Sequence, residues 1–116
     1  MPDTDAAIPL PPHTFHVLLV LSEGPAHGYG IKKEVLERSA GRVDLDAGGL
    51  YRMIARMEEQ AWVEPAPAPD RADDARRKYY ALTPTGRRVL AEEAARLTAL
   101  AGSPDVAALA REGATG

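Results

Sequence analysis

Asp46-Ala47-Gly48-Gly49-Leu50-Tyr51-Arg52 reads as the capped start of a helix. Asp46 is placed as an N-cap, since its carboxylate can accept a hydrogen bond from the free amides of the first turn. Beyond it Leu50, Met53, Ile54 and Met57 recur at i, i+3, i+4 and i+7, an apolar stripe for a helix from Asp46 to about Gln60. Arg52, Arg56 and Glu59 fall off that stripe and are expected in solvent. Trp62-Val63-Glu64 starts a strand. Residues 65–69 with Asp70, Asp73 and Asp74 form a flexible tip, and residues 77–82 return as a second strand reached through Arg76-Arg77-Lys78. Tyr79 and Tyr80 alternate across that strand, so one is expected on the core and the other outside.

Working outward, Pro9, Pro11 and Pro12 end an N-terminal arm. From His13 to Ser22 the chain is dominated by Phe15, Val17, Leu18, Leu19, Val20 and Leu21, and Gly24-Pro25 closes the run. Periodicity alone leaves a buried helix and a buried strand both open. Ile31, Val35 and Leu36 sit among charges in an amphipathic helix from about Gly28 to Ser39. Gly41 breaks it, and Arg42-Val43-Asp44-Leu45 alternates like a short strand. On the C-terminal side, Thr83-Pro84 is a cap followed by proline at the first helical position. A long alanine-rich helix follows, with Leu90, Ala94, Leu97 and Ala101 on one stripe. After Gly102 an Ala/Gly-rich tail is expected to fray.

The 116 residues make one domain's worth of chain, and 45% apolar content fits a folded protein. No cysteine is present, so disulfide, thiol and thiolate-metal chemistry are excluded. No apolar run reaches membrane-spanning length, and Met1-Pro2-Asp3-Thr4-Asp5 is acidic and unlike a signal peptide, so the cytoplasm is the expected location. The net charge is -3, but its distribution matters more than its total. Residues 1–26 carry acids and no Lys or Arg. Lys32, Lys33, Arg52 and Arg56 lie on the two amphipathic helices, and Arg71, Arg76, Arg77 and Lys78 cluster near the second strand.

A helix presenting small and basic residues beside a basic hairpin is the layout of a winged helix-turn-helix, a DNA-reading module. The fold class is therefore mainly α with a small β-hairpin. Its expected divisions are an arm over 1–12, a winged helix-turn-helix over 13–83, a dimerisation helix over 84–101 and a tail over 102–116. Three blocks give the chain a family likeness: residues 23–31 (Glu-Gly-Pro-Ala-His-Gly-Tyr-Gly-Ile), 45–52 (Leu-Asp-Ala-Gly-Gly-Leu-Tyr-Arg) and 77–86 (Arg-Lys-Tyr-Tyr-Ala-Leu-Thr-Pro-Thr-Gly). In order and spacing they resemble the PadR family of bacterial transcriptional regulators, over roughly residues 13 to 100. The resemblance implies a winged-helix homodimer on a pseudo-palindromic operator, usually a repressor released by a small molecule. With one helix expected after the wing, the chain is similar to the family's short branch, which dimerises mainly through that helix. Family members commonly carry Ser-Pro-Gly-Thr-Leu-Tyr where this chain has residues 46–51, and Gly-Leu-Ile where it has Ala61-Trp62-Val63. Asp46 keeps the cap, whereas Gly49 lacks a hydroxyl, and two adjacent glycines weaken the helix start by ~1 kcal/mol each relative to alanine.

Tyr51, Arg52 and Arg56 are candidate groove contacts, arginine being the side chain best suited to guanine edges and phosphates. Gly48 and Gly49 leave the helix start bare beside them. Arg76, Arg77 and Lys78 are candidate wing contacts to phosphate or minor groove; the plainer reading is protection of an edge strand. Lys32 opens the helix expected to cross the DNA backbone, though solvation explains it almost as well. Within His27-Gly28-Tyr29, His27 can cap its helix, Gly28 permits close approach, and Tyr29 can bond a phosphate or pack half-buried. Leu90, Ala94, Leu97 and Ala101 are the candidate dimer seam, and Phe15 and Trp62 the candidate contacts of an effector. His13 and His16 share a helix face, but with His27 they lack a clear fourth ligand, so no metal or other cofactor is expected. Neither a nucleophile–base pair nor a phosphate loop is recognisable, which argues against an enzyme. The expected partners are double-stranded DNA, a second copy of the chain and a small-molecule effector, with no membrane. The competing reading is a winged-helix adaptor for another protein, favoured by the net acidity and by the glycines at the helix start.

Overall fold

The computed structural model describes residues 7–70 and 76–115. The apolar run near the N-terminus is a helix, α1 (Pro12–Leu21), opened by a proline at its first position. It ends on Ser22, whose hydroxyl donates to the Leu19 carbonyl at 2.6 Å. Gly24, at φ 147°, then turns the chain into a two-residue strand, β1 (Ala26–His27), which the sequence reading missed. Helices α2 (Gly28–Arg38) and α3 (Ala47–Glu59) follow. The wing is β2 (Val63–Ala66) and β3 (Tyr79–Leu82), and two helices end the chain, α4 (Pro84–Ala101) and α5 (Pro104–Thr115).

The antiparallel sheet has the order β1-β3-β2, with Ala26 opposite Tyr80 and Pro65 also opposite Tyr80. Proline is tolerated in β2 because that strand is an edge. Leu18 and Leu21 of α1, Ile31 and Val35 of α2, and Leu50, Ile54 and Met57 of α3 meet Val63, Tyr80, Val89 and Leu90 in one core. Each fully buried aliphatic side chain there contributes about 2 kcal/mol. Gly86 lets α4 lie against the wing hinge: a Cβ on it would stand 2.1 Å from the Trp62 carbonyl oxygen. Beside it the Thr83 hydroxyl accepts from the Gly86 amide at 3.0 Å and donates to the Ala61 carbonyl at 2.5 Å.

Several expectations need correction. Residues 42–45 are loop, because no neighbouring strand offers them a ladder. Tyr79 and Tyr80 are both buried, since the sheet is covered on both faces: Tyr80 joins the core, and the His27 ring lies edge-on to Tyr79 at 5.2 Å. From Ala7 onward the arm is packed, not loose. Leu10 is buried, and its N–H donates to the carboxylate of Glu93 at 2.9 Å. The tail contains helix α5, so two helices follow the wing where one was expected. Residues 1–6, Arg71, Asp73 and Asp74 lie outside the described residues.

Candidate nucleic-acid interface

Helix α3 begins as its sequence requires, with the Asp46 carboxylate accepting from the Gly49 amide at 2.9 Å. Arg52 and Arg56 are exposed, and neither has a hydrogen-bond or ion-pair partner among the described residues. The Arg52 guanidinium lies over the helix start, where a Cβ on Gly48 would be 3.3 Å from its Nη1. Tyr51, 53% exposed, leaves α3 on the side facing α2. Arg56 leaves it roughly 140° around the axis from Tyr51 but only about 40° from Arg52, one turn on, so the two arginines share the outer face, with Arg52 nearer its centre.

The start of α2 completes this surface. His27 Nδ1 accepts from the Gly30 amide at 3.0 Å and caps the helix. Its ring lies nearly parallel to that of Tyr29, with centroids 6.3 Å apart. Tyr29 is 60% exposed, and the Arg77 guanidinium sits 5.1 Å from its ring centroid. That cation–π contact joins the wing to α2. On its other side Tyr29 shares an apolar notch with Gly28, Leu50 and Tyr51. Arg77, Tyr29, Tyr51 and the bare start of α3 thus form one continuous exposed strip.

Arg76 and Lys78 are exposed in the turn before β3, with the Lys78 ammonium 5.5 Å from the Tyr80 ring centroid. Lys32 is used differently from its expected role. Its ammonium donates to the Asp44 carboxylate at 2.8 Å and to the Leu45 carbonyl at 2.6 Å, tying α2 to the loop before α3. A surface pair of this kind contributes roughly 0–1 kcal/mol; its main effect is to fix the loop that aims Asp46.

The sequence pattern of the transcriptional regulator PadR-like family matches residues 17–92, from α1 into α4. The chain belongs to the PadR-like family. It is 36% identical over 86 residues to an uncharacterised 37.1 kDa protein in transposon Tn4556 of Streptomyces fradiae, spanning 74% of this chain and 23% of that protein. The fold is also that of a PadR family transcription regulator from Clostridium difficile R20291, with a TM-score of 0.64 at 24% identity over 76% of this chain and 88% of the other. Bacillus subtilis PadR in complex with operator DNA superposes with a TM-score of 0.56 at 18% identity, over 68% of this chain and 44% of the other. This PadR-like chain is therefore a member of a family of transcriptional regulators, not of enzymes. No helix among its described residues is long and apolar enough to cross a membrane.

The remaining candidates of the PadR-like chain divide. Leu90 is 6% exposed and belongs to the subunit core, so it is not a free seam residue. The buried face of α4 runs through Gly86, Val89, Leu90 and Glu93, rotated from the expected stripe by roughly a sixth of a turn. Ala94 and Leu97 are half-buried and Ala101 is exposed. Phe15 and Trp62 do not meet: Phe15 borders a cleft with His16 and Leu97, and Trp62 another with Met53 and Arg56. Glu93 was missed. At 1% exposure it accepts from Leu10 and from Arg96 at 2.6 and 3.0 Å. The Arg96 guanidinium, followed by the Leu10 amide, holds its carboxyl below the ordinary value. The signal was its spacing, three residues beyond Leu90 and three before Arg96.

Proposed function

We propose that this PadR-like regulator is a cytoplasmic repressor, a homodimer that lays α3 of each subunit in the major groove of a pseudo-palindromic operator and is released by a small molecule. The observation that supports DNA reading is the continuous strip from Arg77 through Tyr29 and Tyr51 to the outer face of α3. Arg52 supplies a guanidinium suited to a guanine edge, and Arg76, Arg77 and Lys78 supply phosphate contacts. Gly48 and Gly49 add no side chain at the helix start, so a backbone can approach closely there. Tyr29 and Tyr51 are exposed side chains whose hydroxyls can donate to phosphate oxygens. Arg56 stands one turn beyond Arg52, displaced about 40° toward the edge of α3 that carries Met53, and Lys32 acts by fixing the loop.

Dimerisation is assigned to the exposed side of α4 around Ala94, Leu97 and Ala101. A two-fold dimer places its half-sites about one helical turn apart, ~34 Å. The test is selection of bound duplexes from a random pool, followed by footprinting. Recovery of an inverted repeat with that spacing supports the reading. A selected pool with no shared sequence favours the adaptor reading instead.

A further inference from the structure

Behind the DNA-facing strip, the flank of α3 borders a cleft of about 310 Å³ between the arm, α1 and the end of α3. Its apolar wall is Leu10, Met53, Met57 and Trp62. Thr14, Arg56 and Gln60 supply its polar groups, and none of these three side chains has a hydrogen-bond partner among the described residues. Among the described residues none that lines the cleft is acidic, and Arg56 is the charged group there. The wall is preformed: the Leu10 amide is anchored on Glu93, and Arg96 holds that carboxylate by two nitrogens. A concave site with an apolar body and a few converging polar groups is the usual form of a small-molecule site.

We infer that this cleft binds a small amphipathic anion, its apolar body against Met53, Met57 and Trp62 and its charged end on Arg56. Two thioethers give the wall an adaptable surface that suits a compact aliphatic or flat body equally. Arg56 can hold a carboxylate by two parallel N–H donors, with Gln60 or Thr14 donating to a remaining lone pair. The site stands on its own geometry. Its role as the release site rests on the operator-binding reading, because the bound anion would engage a cation on the flank of the reading helix.

The experiment is an NMR titration of the ¹⁵N-labelled full chain, with octanoate and its uncharged analogue octanamide as probes. Trp62 is the only tryptophan, so its indole N–H gives a single reporter inside the cleft. Octanoate is expected to shift that signal saturably, at least tenfold more tightly than octanamide. The preference should vanish in Arg56→Gln and return in Arg56→Lys. Dispersion of the indole signal reports folding in each variant. Absence of a saturable shift, equal binding of acid and amide, or an undiminished preference in Arg56→Gln would each overturn the site. None of these readouts uses DNA, so failure of the operator reading leaves them unaffected. If octanoate binds as described while operator affinity does not fall, the site holds and its role in release is wrong.

Discussion

The Tyr51 hydroxyl of α3 occupies the space that a side chain on residue 28 of α2 would need: a Cβ on Gly28 would lie 2.6 Å from it and 2.9 Å from Tyr51 Cζ. The glycine thereby sets the direction in which an exposed tyrosine leaves α3. Gly28→Ala puts a methyl group against the far end of a mobile side chain, so Tyr51 swings away at little cost. Alanine also gains up to about 1 kcal/mol of helix propensity. The thermal midpoint is therefore expected to stay level or rise, while affinity for operator DNA falls several-fold. A variant that binds as tightly as the parent would remove Tyr51 from the interface.

Ala61 closes α3 at φ 61°, a left-handed conformation that costs a residue with a Cβ roughly 1–2 kcal/mol. Glycine would adopt the same turn without that cost, since it has no Cβ. Ala61→Gly should stabilise the fold by about 0.5–1 kcal/mol after the extra freedom of the unfolded glycine is subtracted. Urea unfolding at neutral pH measures it, and an unchanged or lowered midpoint contradicts the account.

These two sites mark the boundary of what the sequence makes legible. The Asp46 cap and the stripe of Leu50, Ile54 and Met57 are local patterns, set by neighbours within one or two turns, and they stand where their spacing puts them. Strand β1 escaped because two residues carry no periodicity; only pairing with Tyr79 and Tyr80 defines it. Residues 42–45 have the alternation of a strand but no partner. Lys32 looked like any surface cation because its acceptors come from a loop whose path local spacing does not encode. Glu93 depends on an amide 83 residues away, and the arm's order depends on Glu93 in turn.

Glu93 gives the fold an acid-sensitive tie. Its carboxyl is held below the ordinary value near 4.5 by the Arg96 guanidinium and then by the Leu10 amide. A carboxyl depressed in the folded state contributes stability that is complete above its unfolded value and lost as pH falls through its folded value. Glu93→Gln keeps the shape and removes the charge. Wild type should exceed it in stability at neutral pH, and the difference should close as the pH falls below about 4.5. Urea melts at several pH values check this, and a gap that does not change with pH would place the effect elsewhere.

Leu97 borders the cleft beside Phe15 and His16 on the exposed side of α4 and is only half-buried within the subunit. If the proposed homodimer packs through this side of α4, Leu97→Glu is expected to leave the monomer folded and to dissociate the dimer at micromolar concentration, since an unpaired charge in an apolar interface costs several kcal/mol. Sedimentation velocity distinguishes the species. A dimer that survives the substitution would move the interface away from this helix.

The central claim, that the outer face of α3 reads DNA, is tested most directly by anisotropy titration of a duplex from the chain's own promoter region. The wild type and Arg52→Ala would be compared at several salt concentrations. The expected result is affinity that falls with salt at a slope near -0.9 per phosphate neutralised. Arg52→Ala should bind roughly 5- to 150-fold more weakly with an unchanged thermal midpoint, as loss of an arginine–base contact of ~1–3 kcal/mol implies. Equal binding by both proteins, or no binding above non-specific levels at low salt, would contradict it.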